Sequence, residues 1–85
     1  MNKDSAYTKH QTLRGAMPDA DAGNVLYLIK NVSEMRLTYQ VKLLAYMAHS
    51  KGKKLSIRLP TAAKVHSSLR DFVRASGGLV KIERT

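Results

Sequence analysis

The residues best suited to chemistry in this chain are cations. His49, Lys51, Lys53 and Lys54 crowd into the run HSKGKK. Such a run fits a polyanion, because each phosphate that a lysine neutralises releases a condensed counterion. A helix C-terminus also gathers cations to complement its dipole. That effect accounts for two of these charges and leaves the others to a partner. Acids are scarce and scattered: Asp4, Asp19, Asp21, Glu34, Asp71 and Glu83. No two of them are spaced for general acid–base work, and no set of His and carboxylates has metal-ligand spacing. His66 adjoins Ser67 and Ser68, but neighbours one and two apart on a helix point away from each other, so no Ser–His pair is expected. His66 is read as half-buried packing. The residues therefore predict a non-enzymatic protein with no metal and no cofactor.

Composition narrows the partner. The chain has 85 residues, 15 Lys+Arg against 6 Asp+Glu and a formal net charge of +9. Lys3, Lys9 and Arg14 balance Asp4, Asp19 and Asp21, so the whole excess falls within residues 24–85. The absence of Cys excludes disulfides, zinc thiolates and cysteine nucleophiles, and fits a reducing compartment. The longest apolar run, Val25 to Ile29, is far short of the roughly 20 residues that cross a bilayer. No apolar stretch follows the first lysine, so no secretory leader is expected and the protein is read as cytoplasmic. Neither predicted helix sets a cationic face against a bulky exposed apolar one, so membrane-surface binding ranks below nucleic acid. No small-molecule substrate is evident.

These side chains must be positioned by a small domain. Residues 1–23 lack a sustained period and contain Gly15, Pro18 and Gly23, so they read as a flexible tail. Tyr7, Leu13 and Met17 could dock. VLYLIK (25–30) reads as a strand that is apolar on both faces. A helix is expected from about 34 to 50, capped by Ser33, with Leu37, Val41, Leu44, Ala45 and Ala48 as its core stripe and Gly52 as its stop. KLSIRL (54–59) alternates cleanly as a half-buried strand. Thr61 then caps a second helix, about 62 to 76, with Ala62, Val65, Leu69, Phe72 and Val73 facing the core. Gly77-Gly78 ends it, and LVKIER (79–84) alternates again. The prediction is an α/β domain, β-α-β-α-β, with three parallel strands joined by right-handed crossovers. The doubly apolar first strand favours the central place, order 2-1-3, with helices on both faces. The alternative order 1-2-3 puts both helices on one face and leaves part of the first strand needing a dimer partner or the tail.

This architecture would bring two cation groups together. Lys30, Arg58 and Arg84 end the three strands, beside both helix N-termini and Lys64, making an anion site at the carboxyl edge. Lys51, Lys53 and Lys54, approached by Arg74 from the end of the second helix, lie at the other edge. Met35, Tyr39, Lys42 and Tyr46 form a third feature: a helix face turned from the core that could stack bases, form a homodimer seam or receive the N-terminal tail, with the seam and the tail favoured over stacking.

The segment KLSIRLPT, residues 54–61, resembles the opening of ribbon-helix-helix DNA-binding proteins. There an alternating basic strand runs into a Pro-started helix, and two chains pair as a ribbon in the major groove. The resemblance covers about residues 53–73 and would give Lys54, Ser56 and Arg58 the base contacts. It departs after Gly77-Gly78, where the family has a second helix and this chain has LVKIERT. The sequence thus predicts a nucleic-acid-binding domain acting mainly through phosphate contacts, RNA or DNA alike. A homodimeric interaction module with an acidic protein partner is the alternative, and a ribbon-helix-helix-like DNA-binding regulator the minor one.

Overall fold

The computed structural model describes residues 17–85. Along them run β1 (Ala20–Ala22), β2 (Val25–Ile29), β3 (Glu34–Met35), α1 (Tyr39–Ser50), β4 (Lys54–Leu59), β5 (Lys64–Val65), α2 (Ser67–Ala75) and β6 (Val80–Arg84). The α/β class and the two helices are as expected; the three-stranded sheet is not. β1, β2, β4 and β6 form a four-stranded sheet in that order, and β3 pairs β5 in a second, two-stranded sheet. β2, β4 and β6 are parallel, as predicted, whereas β1 is antiparallel to β2. Strand β1 falls inside the segment read as a tail. Gly23, at φ 69°, and Asn24 turn it into β2. A glycine in the left-handed region at the first central position suits a two-residue hairpin. Tyr7 and Leu13 lie outside the described residues, and Met17 is exposed.

The second predicted strand is central, not the first. Registers Leu26–Leu55, Leu28–Ile57, Leu55–Val80 and Ile57–Ile82 align the inward residues on one face. The core joins Leu26, Leu28, Leu55, Ile57, Leu59 and Val80 to Val41, Leu44, Ala45 and Ala48 of α1 and Leu69 of α2. Both helices therefore cover the same face, which corrects the order 2-1-3. Burying each large side chain contributes about 1.5–3 kcal/mol. The opposite face carries Val25, Tyr27, Ile29, Ser56, Arg58, Lys81 and Glu83. Tyr27 is shielded there by the Arg58 guanidinium, 4.8 Å from its ring centroid. Ile29 is 54% exposed. Apolar residues on both sides of β2 thus do not mean two covering layers: one side packs on α1, while the other meets a cation and solvent.

Both helices start later than expected, for one reason. β3 and β5 pair in parallel through Lys64 N–H to the Ser33 carbonyl (2.8 Å) and His66 N–H to the Met35 carbonyl (2.9 Å). That ladder holds 33–35 and 64–66 extended. α1 is capped by Thr38, whose Oγ1 accepts from Val41 N–H at 3.2 Å, not by Ser33. α2 is capped by His66, not by Thr61. Met35, predicted on the exposed helix face, is instead an extended residue buried in the core.

Candidate nucleic-acid interface

At the edge where β4 begins, α1 ends at Ser50 and Gly52 reverses the chain at φ 68°. The last helical carbonyls are already bonded: Met47 and Ala48 accept from Lys51 N–H, His49 from Gly52 N–H, and Ala48 also from Lys53 N–H. Capping by backbone N–H groups therefore leaves the Lys51 ammonium group uncommitted, while that of Lys54 reaches the loop after α2. Lys51 is exposed, and Lys54 is exposed with its Nζ 3.4 Å from the Gly78 carbonyl. That bond, with Leu55 N–H on the Leu79 carbonyl (2.9 Å), ties the loop after α1 to the loop after α2. Arg74, exposed in the last turn of α2, belongs to this same edge. Lys53 differs from its neighbours. Its Nζ lies 2.8 and 2.9 Å from the Asp21 carboxylate oxygens, so β1 takes part of its charge.

At the carboxyl edge the four predicted cations have different surroundings. Arg58 projects from the open sheet face, where its Nε donates to Glu83 Oε1 at 3.0 Å. Arg84 donates to the carbonyls of Pro60, Thr61 and Ala63, stitching the loop after β4 to the C-terminal strand. Lys64 sits on β5 rather than one turn into a helix, and Lys30 is half-buried. The helix N-termini here are occupied by their own caps, Thr38 and His66. Lys30 and Lys64 remain of the four predicted cations.

Among the described residues two of the twelve basic side chains pair with a carboxylate, Lys53 with Asp21 and Arg58 with Glu83. The others are not confined to one surface. Lys51, Lys54 and Arg74 hold one edge, Lys30, Lys64 and Arg84 the other, Arg36, Lys42 and Arg70 the helix side, and Lys81 the open sheet face. Lys81 was not among the predicted cations, although the alternation of LVKIER places it outward, on the face that Lys54 also shares.

His66 has a role that helical geometry had excluded. Because it sits at φ −65°, ψ 151°, ahead of the helix, its ring reaches forward. Nδ1 accepts from Ser68 N–H at 3.1 Å and lies 2.9 Å from Ser68 Oγ, which accepts from Leu37 N–H at 3.1 Å. A Ser–His contact does form, and it serves to join the entry of α1 to the cap of α2.

β4 is hydrogen-bonded on both sides, to β2 and β6. It has no free edge for a ribbon between two chains, which removes the ribbon-helix-helix geometry for Lys54, Ser56 and Arg58. No family model, curated protein or solved structure matches this chain. Among the described residues no helix is long and apolar enough to cross a membrane.

Proposed function

We propose that this chain is a non-enzymatic nucleic-acid-binding domain that holds the phosphate backbone. The observation that carries the reading is the edge formed by Lys51, Lys54 and Arg74, where the helix carbonyls are bonded by backbone N–H groups and the cations stay exposed. Lys53 supports that edge through Asp21. Contacts of this type are independent of sequence, because phosphates are common to every site. Binding of mixed RNA and DNA pools in a low-salt shift assay tests the reading. Changing Lys51, Lys53 and Lys54 together to Ala should weaken every sequence alike; an unaffected triple variant removes this edge as the interface.

A homodimeric interaction module is the second reading, and Ile29 favours it. The side chain is exposed on the sheet face that neither helix covers. A dimer in sedimentation that Ile29→Asp dissolves would support it; a monomeric wild type excludes it.

A further inference from the structure

The outer face of α1 carries exposed aromatic rings separated by positive charge. Tyr39 and Tyr46 are 66% and 69% exposed, the most open large apolar side chains among the described residues. Lys42 and His49 are exposed beside them. At 100° per residue these four positions fall within an arc of about 80°. The helix contains no acidic residue. Met35, which would have made the stripe more apolar, is buried in the core. What remains alternates ring and basic side chain: Tyr39, Lys42, Tyr46, His49.

We propose that this face is a stacking platform for single-stranded nucleic acid. The inference rests on the phosphate-binding reading above and adds a strand class and a surface to it. The two rings stand about 10 Å apart along the axis, against roughly 3.4 Å per nucleotide in a stacked strand. They therefore take bases that are not neighbours, and Lys42 lies where the intervening phosphates pass. Every base has a π-face, so stacking of this kind tolerates sequence. A second copy of the chain fits the face less well. In a two-fold antiparallel contact centred between the tyrosines, each Lys42 meets its own counterpart, and like charges face each other. A strand that brings negative charge to Lys42 and flat rings to Tyr39 and Tyr46 complements all three.

The test uses the full chain and fluorescently labelled single-stranded oligonucleotides, with an abasic strand of equal charge as control. The variants are the double Tyr39→Ala/Tyr46→Ala and the double Tyr39→Phe/Tyr46→Phe, checked for fold by circular dichroism. Loss of each ring should weaken single-strand binding roughly 5-fold or more. The Phe variant should stay within about twofold of wild type, since phenylalanine keeps the π-face. The abasic strand should bind wild type and Ala variant equally. The chain has no Trp, so quenching of tyrosine emission by the normal strand, lost in the Ala variant, reports stacking directly. If wild type binds strands and the Ala variant binds them equally well, the platform is refuted while phosphate binding stands. If wild type binds no strand at low salt, both readings fall. A wild-type dimer that the Ala variant dissolves assigns the face to a second copy and also refutes the proposal.

Discussion

Removing the imidazole of His66 tests how the two crossovers are locked together. α2 has nine residues, too few to be stable in water without its cap and its packing. His66→Ala takes away the acceptor for Ser68 N–H and should cost about 1 kcal/mol, the usual loss for an N-cap. Ser68→Ala leaves Leu37 N–H, part-buried and bonded among the described residues to that hydroxyl, without this acceptor; the expected cost is about 1–2 kcal/mol. Both substitutions break the same 2.9 Å contact between Nδ1 and Oγ. The double variant should therefore lose less than the two singles together, by about 0.5 kcal/mol or more. In a domain of this size each kcal/mol moves the melting temperature by roughly 4–8 °C. His66→Asn, a strong cap, should recover most of the stability lost in His66→Ala. Urea and thermal unfolding of wild type, the two single Ala variants and their double, all at one pH, give the cycle. A His66→Ala protein as stable as wild type, or strictly additive losses, would refute the shared junction.

Ser56→Ala should stabilise the protein by about 1 kcal/mol, because Ser56 is 3% exposed and its Oγ has no hydrogen-bond partner among the described residues, and a buried hydroxyl without a partner costs about 1–3 kcal/mol; a lower melting temperature would mean that the hydroxyl is bonded. Lys53→Ala should reduce nucleic-acid affinity less than Lys51→Ala or Lys54→Ala, since its ammonium already faces Asp21. On single strands each of the latter two should flatten the salt slope by about 0.7, and equal effects of all three would contradict the division of roles.

What was legible followed local rules. The alternation of KLSIRL placed Leu55, Ile57 and Leu59 in the core, and the helical spacing of Val41, Leu44, Ala45 and Ala48 did the same for α1. Gly52 marked the end of that helix, and the outward turn of Tyr39 and Tyr46 followed from their phase against the stripe. What was missed depends on partners far along the chain. β3 and β5 have two residues each and exist because they pair with each other. Without that ladder Glu34, Met35, Lys64 and Val65 are as good in a helix as in a strand, so both helix starts were misplaced. β1 was too short to show a period, although Gly23-Asn24 marked its turn. The sheet order failed because Tyr27 satisfies its outer face with Arg58 rather than with a second layer of helix. At the candidate interface, residue type picked out the cations, but only the fold separates exposed Lys51, and Lys54 with its single long bond to the Gly78 carbonyl, from Lys53, held by Asp21, and from Arg84, held by three carbonyls.

The central claim is that exposed cations on this domain meet phosphates, and the most direct measurement is the affinity of the whole chain for a short mixed-sequence single strand across a salt series. With Lys51, Lys54 and Arg74 each taking a phosphate, log K should fall against log salt with a slope of about −2 or steeper. A flat dependence, or no binding at 50 mM salt, would contradict it.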